Sequence, residues 1–219
     1  MRVSIVMSIA GLLLAAPAFA QERGYITGIG GFTTTADVTS RDVLAEAGVR
    51  VAPHLSVFGD VGQFHNLQPS DVQPAVDSTV ANLAATQGLS VFGTGRVPAW
   101  YSIGGVRYEA MPHGRVSPYV LGGIGVARLT PTATFTYSSG TLPDGSTPAA
   151  GDDVTSALVT AGDFTAPAAI TKAMFTLGGG VEIPIARHWA VDAGYRYSRV
   201  ATDTPLNAQG ATFGFGYRF

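Results

Sequence analysis

The sequence predicts an all-β fold: an eight-stranded antiparallel up-and-down transmembrane β-barrel with a short helix in one external loop. Three observations support this prediction: period-two alternation of apolar with small or polar residues, connections that alternate between short and long, and a composition poor in charge. Charged residues make up 13% of the chain and hydrophobic residues 46%, whereas typical soluble domains are about a quarter charged. Few charges are therefore left for a surface that faces water.

The beginning of the chain has the pattern of a secretory signal peptide. Arg2 precedes an apolar run over residues 3–14, and residues 18–20 form a small-x-small cleavage site. The run is too short for a membrane-spanning helix. We therefore expect a signal peptide over residues 1–20 and a barrel domain over residues 21–219.

Eight segments alternate with period two, which predicts strands because strand side chains switch face at every residue. Tight turns follow the second, fourth and sixth strands, and longer connections follow the others, as in barrels with short periplasmic turns and longer external loops. Residues 37–41 are predicted to form a short polar connection. The predicted strands cover residues 24–35, 42–51, 55–65, 98–110, 116–129, 172–185, 189–199 and 210–219, with tight turns at 52–54, 111–115 and 186–188.

Eight charged strand residues lie on the face opposite the apolar set of their own strand. A basic side chain near the lipid midplane costs about 2–4 kcal/mol, so these residues are expected to face the lumen and to pair there. Glu46 is expected to pair with Arg107 or Arg196, and Arg50 is expected to belong to the same network, which stabilises the barrel rather than conducts. The predicted network consists of Glu46, Arg50, Asp60, Arg107, Glu109, Glu182, Asp192 and Arg196.

A soluble lipocalin-like barrel would show the same alternation, but with its charged residues facing water and its apolar residues lining an internal cavity. The low charge content and the glycines on the charged face favour lipid outside, since a small barrel has little room in its interior. Aromatic residues near strand ends also fit an interfacial girdle. These are Trp100, Trp189, Tyr108 and Tyr217.

The last ten residues, 210–219, alternate large aromatic with small or polar residues and resemble the C-terminal targeting strand of bacterial outer-membrane β-barrels. Thr212, Gly214, Tyr217 and Phe219 match that assembly signal position by position. The resemblance implies recognition by the barrel-assembly machinery and an integral location in the outer membrane, surrounded by its lipid.

The strand count, the loop asymmetry, the glycine-rich strands and the Tyr195-Arg196-Tyr197 element together resemble the OmpA/OmpX-like and opacity-type family of small outer-membrane barrels. The resemblance implies envelope integrity, surface adhesion or antigenicity and, in some members, narrow solute passage. No peptidoglycan-binding domain is expected after the barrel, so peptidoglycan anchoring is not implied.

The first long loop, residues 66–97, contains a predicted helix over 74–87. Pro74 suits the first helical turn and Gly88 is placed to end the helix. We expect its apolar stripe to pack on the barrel rim; a cap over the external mouth and a position toward the lumen are the alternatives. The helix lacks the Lys and Arg of a membrane-surface helix, which disfavours binding to the membrane surface. The stripe consists of Val76, Val80, Leu83 and Ala84.

The second long loop, residues 130–171, contains four aspartates but neither Lys nor Arg. Its start, residues 132–137, is expected to extend a strand above the membrane, and Asp144 with the following glycine marks a turn. Because this loop has acidic but no basic residues, it is not expected to bind the phosphates of lipopolysaccharide. Asp152 and Asp153 lack the spacing of known calcium motifs, so solvated charge is the simpler interpretation.

Histidines give little support to catalysis. His54, His113 and His188 fall in the tight turns, and only His65 approaches the external rim, where Ser198 is a partner that the sequence leaves open. With no cysteine in the chain, thiolate nucleophiles and cysteine metal sites are excluded.

The expected function is therefore a structural or surface-interaction role through the external loops of a monomeric, non-enzymatic barrel. We expect no cofactor, no metal site and no nucleic-acid partner, and the external ligand is not identified. The alternatives are a narrow porin-like pore for small solutes and an outer-membrane lipid-modifying enzyme.

Overall fold

The computed structural model describes residues 24–35, 38–69, 71–112 and 114–219, so the predicted signal peptide lies outside the described residues. This part of the chain contains ten strands and two helices. They are β1 (Gly24–Thr35), β2 (Val38–Ala52), β3 (Leu55–Phe64), α1 (Val72–Gln87), β4 (Ser90–Arg96), β5 (Ala99–Glu109), β6 (Ser117–Leu129), β7 (Thr132–Ser139), α2 (Thr155–Ala161), β8 (Ile170–Pro184), β9 (Trp189–Val200) and β10 (Leu206–Arg218).

Eight of the strands close into an antiparallel barrel, in the order β1-β10-β9-β8-β6-β5-β3-β2. The barrel closes between its first and last strands, where Gly24 and Phe219 exchange two backbone hydrogen bonds of 2.9 Å. Closure leaves no free barrel edge, which a membrane-spanning sheet requires because lipid offers no hydrogen bonds. The predicted eight-stranded barrel is confirmed.

Alternation along each strand separates a buried inner face from an exposed outer face. In β3, Ser56, Phe58 and Asp60 are at most 3% exposed, whereas Val57 and Val61 are each 48% exposed. Apolar side chains therefore cover the outside of the barrel, where lipid replaces water.

The connection predicted at residues 37–41 is wrong. Residues 38–41 begin β2 and pair with residues 32–35 of β1, and the Thr34 and Thr39 hydroxyl oxygens lie 3.0 Å apart across the two strands. The polar composition misled the prediction, because near the external end both faces of a strand can carry Thr and Ser. Residue 37 itself lies outside the described residues.

The first long loop contains the expected helix, which ends at Gly88 in the left-handed conformation with φ of 65°. Its expected packing on the barrel rim is wrong, because α1 packs on β4. Glycines permit this approach, since a Cβ atom at Gly95 would lie 2.7 Å from Val72 Cγ1. The Gln73 amide also donates to Gly93 O at 3.0 Å and accepts from Gly95 N at 3.1 Å, which covers the free edge of β4.

The second long loop contributes β7, which pairs with β4 as a separate two-stranded sheet. The strand extension expected at residues 132–137 is present, but the sequence did not reveal β4 as its partner or α2 farther along the loop. Neither helix in the described part of the chain is long and apolar enough to cross a membrane.

Candidate functional site

The centre of the lumen is organised around Glu46, whose side chain is completely buried. Its carboxylate accepts hydrogen bonds from Arg107 Nη1 at 3.2 Å and from Arg196 Nη2 at 2.5 Å. The Tyr25 hydroxyl donates to the same carboxylate at 2.8 Å. Shared ion pairs with additional hydrogen bonds offset the large desolvation cost of burying charge.

The two arginines extend this network to other carboxylates. Arg107 Nη2 lies 2.5 Å from Glu182 Oε2, and Arg107 Nε lies 3.4 Å from Glu109 Oε1. On the other side, Arg196 Nη1 lies 2.6 Å from Asp60 Oδ2. These contacts join strands from all around the barrel into one layer of charge, which we call the ionic layer.

Other charged residues complete the ionic layer. Near the tight turns, Arg50 pairs with Glu109 at 3.1 Å, and Arg218 pairs with Glu182. Asp192 accepts a hydrogen bond from the Tyr119 hydroxyl at 2.9 Å. The structure thus places all eight residues of the sequence-predicted network on the inner face, with Arg50 at its margin because its side chain is 23% exposed.

Tyrosines are the part of the ionic layer that the sequence did not reveal. The Arg107 guanidinium lies 3.8 Å from the centroid of the Tyr119 ring and 5.3 Å from that of Tyr25, which adds cation–π attraction. Gly48 leaves the space that the Tyr25 ring occupies, since a Cβ there would lie 2.5 Å from Tyr25 Cε1. Strand parity, which places alternate residues on one face, was the only sequence signal that could have placed these tyrosines inside.

The external half of the lumen is less charged. Asp42 is buried there and accepts a hydrogen bond of 3.4 Å from Tyr101. A small polar cavity lies beside them, and Thr176 and Ser198 line it with their hydroxyl oxygens 3.1 Å apart. Sequence reasoning missed Asp42 because the strand was predicted to begin at that residue.

An apolar layer closes the external end of the lumen. Its residues are at most 5% exposed, and they come from five barrel strands and from the two ends of the first long loop. They include Leu67, Val97, Ala99, Leu129, Met174, Val200 and Leu206. The interior is therefore filled by two successive layers, one ionic and one apolar.

The two long loops fold together above this layer. We call α1, β4, β7 and α2, with the segment from residue 140 to 164, the external module. The Val154 N–H donates to Phe135 O at 2.9 Å, and Gln87 donates to Asp163 at 2.7 Å. The module has its own buried core of Val76, Leu83, Leu89, Val91, Phe135, Tyr137, Leu142, Val154 and Leu158.

The aspartates of the second long loop serve local turns. Hydrogen bonds from the hydroxyl and backbone N–H of Ser146 lower the pKa of Asp144, and those from Thr155 lower the pKa of Asp153. Asp152 accepts from the Ala149 N–H at 3.0 Å. Within the described residues, no group of three or more His, Cys, Asp or Glu side chains is arranged to hold a metal ion.

A comparison with family models decides the identity of the fold. The family described as "Outer membrane protein beta-barrel domain" matches residues 6–219. The chain belongs to this family. It is therefore an integral outer-membrane protein, whereas cleavage of its signal peptide stays a prediction.

The chain is also similar to solved structures. Neisserial surface protein A superposes with a TM-score of 0.54 at 14% identity, covering 90% of this chain and 97% of that chain. Ail of Yersinia pestis superposes with a TM-score of 0.48 at 15% identity, covering 91% of this chain and 100% of that chain. The N-terminal barrel of Pseudomonas aeruginosa OprF superposes with a TM-score of 0.49 at 11% identity, covering 90% of this chain and 98% of that chain. A comparison with curated proteins found no match.

Orientation follows from membership in this outer-membrane family, because tight turns face the periplasm and long loops face outward. The external module is thus on the cell surface. Thr212 of β10 is buried inside, whereas Tyr217 and the following Phe219 face outward with ring centroids 6.4 Å apart. Recognition of Thr212, Gly214, Tyr217 and Phe219 by the barrel-assembly machinery stays a prediction.

The three histidines that the structure describes lie at the two ends of this outer-membrane barrel. His65 lies exposed just beyond β3, and its backbone N–H donates to Arg41 O at 3.0 Å. Among the described residues no hydrogen bond joins His65 to Ser198, which lies inside the lumen. His54 Nδ1 lies 2.8 Å from the Glu109 carbonyl oxygen, and His113 lies outside the described residues.

Proposed function

We propose that this protein is a closed outer-membrane anchor that presents the external module to a binding partner outside the cell. The main support for this proposal is the buried core that the two long loops share, in which Phe135 and Leu158 are fully buried. A shared core fixes the relative positions of surface residues from both loops. Binding surfaces benefit from such preorganisation, because less ordering entropy is lost when a partner binds.

The filled lumen supports an anchor in preference to a channel. Arg107 and Glu46 lie at the centre of the barrel and are 2% or less exposed. An ion crossing the barrel would have to separate buried ion pairs and then pass the apolar layer. Both steps are unfavourable, since each leaves charge without a partner in a medium of low polarity.

A narrow pore is the second candidate, because the lumen carries more acidic than basic groups. Six carboxylates face four guanidiniums there, an excess that would favour cations if the lumen opened. The acidic groups are Asp42, Glu46, Asp60, Glu109, Glu182 and Asp192, and the basic groups are Arg50, Arg107, Arg196 and Arg218.

Proteoliposomes that carry the refolded protein test the anchor function. They are assayed for binding to a panel of extracellular-matrix proteins, glycans and intact cells, and for ion flux. The double variant Phe135→Ala/Leu158→Ala removes two side chains from the module core, and each truncation should lower the stability of the module by about 2–5 kcal/mol. The affinity for the partner should then fall at least about tenfold. Phe58→Ala is the matched control, since it truncates a buried lumen residue far from the module.

Binding that is lost in the module variant but kept in Phe58→Ala would support the anchor function. Steady ion flux through the unaltered protein, together with binding that does not change in the module variant, would overturn it and favour the pore.

A further inference from the structure

The outer face of one hairpin continues without interruption from the membrane into the external module. Along residues 90–108 and 120–136, odd-numbered residues face inward and even-numbered residues face outward, through both the barrel strands and the β4–β7 sheet. The Thr130 N–H donates to Pro98 O at 2.9 Å and bridges the junction between them. We call the even-numbered residues of 92–100 and 128–136 the external strip.

Chemistry changes in steps along this surface. Ile124 and Val126, which are 75% and 51% exposed, lie on the lipid-facing wall below the strip. Next comes the cross-strand pair of Trp100 and Arg128, a combination typical of membrane interfaces. Beyond that pair the outward residues are mostly threonines, with Arg96 paired to Thr132.

The strip is positively charged although the module as a whole is acidic. Residues 90–100 and 124–136 contain two arginines and neither Asp nor Glu. Arg96 and Arg128 are exposed, and neither makes an ion pair with a carboxylate in the part of the chain that the structure describes. Arg128 lies just before the second long loop and Arg96 lies in the first, so the absence of Lys and Arg from the second loop does not exclude phosphate binding at the strip.

The strip is too long for the headgroup of an ordinary phospholipid. Eight residues separate Trp100 from Phe92, about 26 Å of extended strand. Even with a strand tilt of about 45°, the strip rises roughly 19 Å above the interface. A phospholipid headgroup layer is only about 5–8 Å thick. A lipid that reaches the whole strip must therefore have a headgroup extended by further units.

We propose that the external strip binds the phosphorylated saccharide headgroup of an outer-leaflet glycolipid. Arg96 and Arg128 pair with its phosphates, as guanidinium groups do with planar or tetrahedral anions. Thr94 and Thr134 form a cross-strand pair of hydroxyl groups that can donate to and accept from sugar hydroxyls. Phe92, 71% exposed at the far end, packs on a sugar ring. This binding is independent of the partner proposed for the module.

Intrinsic fluorescence can test the proposal, because the chain has only two tryptophans. Trp100 lies in the strip and Trp189 at the periplasmic end, so Trp189→Phe leaves a single reporter inside the site. Purified lipopolysaccharide is titrated into this variant in phosphatidylcholine nanodiscs. Trp100 emission should change saturably, and in a Trp100→Phe protein the Trp189 emission should not respond.

Two sets of variants separate the contribution of the arginine charges from that of the threonine hydroxyls. All are made in the Trp189→Phe background and checked for heat-modifiable folding. Arg96→Gln/Arg128→Gln should weaken lipopolysaccharide binding about 25-fold, at about fivefold for each charge near a membrane surface. Arg115→Gln/Arg187→Gln removes two exposed arginines from the periplasmic turns and should leave binding unchanged.

Specificity is tested with phosphatidylglycerol at equal phosphate content. It should bind at least about tenfold more weakly, and Thr94→Val/Thr134→Val should weaken binding of lipopolysaccharide alone. Equal binding of both lipids would show a surface for phosphate only and overturn the glycolipid assignment. Unchanged binding by the arginine variant would also overturn it, as would a strip buried against a second copy of the chain.

Discussion

Glu46 shows how single residues hold the barrel interior together. Its two arginine partners are 61 and 150 positions away along the chain. One carboxylate thus ties strands β2, β5 and β9 across the lumen. Removing it would leave two guanidiniums short of an acceptor, which is costly in a buried position.

Glu46→Gln removes this charge and keeps the shape of the side chain. We expect the free energy of unfolding to fall by about 3 kcal/mol, because Arg107 and Arg196 then share too few carboxylates. Guanidinium chloride unfolding in phospholipid vesicles, followed by tryptophan fluorescence, measures the change.

Arg50→Gln is the control for this substitution, since the ion pair of Arg50 with Glu109 lies at the margin of the ionic layer. Its loss should cost less than about 1 kcal/mol, because the Arg50 side chain is 23% exposed and Glu109 keeps its contact with Arg107. Equal losses in the two variants would contradict the central role of Glu46.

Parity along the strands was enough to predict that Glu46, Arg107 and Arg196 face inward. It could not predict their pairing, because contacts across a lumen depend on strand tilt and stagger, which no local pattern records. Arg218 was missed for a different reason. It lies in the terminal strand, whose alternation was interpreted only as an assembly signal, although the same alternation places Arg218 on the inner face.

At the scale of elements, the main difference between sequence and structure is β4. Its seven residues alternate like the barrel strands, but they are fewer than the nine to eleven or so that a membrane-spanning strand needs. A count of spanning strands therefore leaves β4 in the loop. Its pairing with β7 joins two loops that are distant in sequence, and no local signal indicates such a partner.

Packing of α1 on β4 depends on the absence of side chains at Gly93 and Gly95. A Cβ at Gly93 would lie 2.9 Å from Val80 Cγ2, and valine in a helix is largely confined to one rotamer. Gly93→Ala/Gly95→Ala should therefore push α1 away from the sheet. Each added methyl group should lower the stability of this packing by about 1–3 kcal/mol.

Amide hydrogen exchange measures this displacement, as lost protection in α1 with unchanged protection in the barrel strands. Thr94→Ala is the matched control, because its side chain lies on the outer face of the same strand. Equal protection of α1 in both variants would show that the two glycines are not needed for packing.

At the scale of the whole molecule, the two layers in the lumen act in series. The ionic layer crosses the middle of the barrel, and the apolar layer closes its external end. Since α1 packs on β4, the helix does not itself fill the lumen. Opening a continuous aqueous path therefore requires changes in both layers, and neither change alone should be sufficient.

Planar-bilayer recordings of three variants test this series arrangement. Glu46→Ala/Arg107→Ala/Arg196→Ala removes the ionic centre but leaves the apolar layer, so it should show no steady conductance. Replacing residues 66–97 with a short Gly-Ser linker opens the apolar layer by removing Leu67 and Val97 from it, but leaves the ionic layer, so it too should be silent. Only the combination should give steady steps, because the ionic centre is then gone and the apolar layer is open. Steps from the loop replacement alone would mean that the ionic layer is permeable and that the first long loop is the gate.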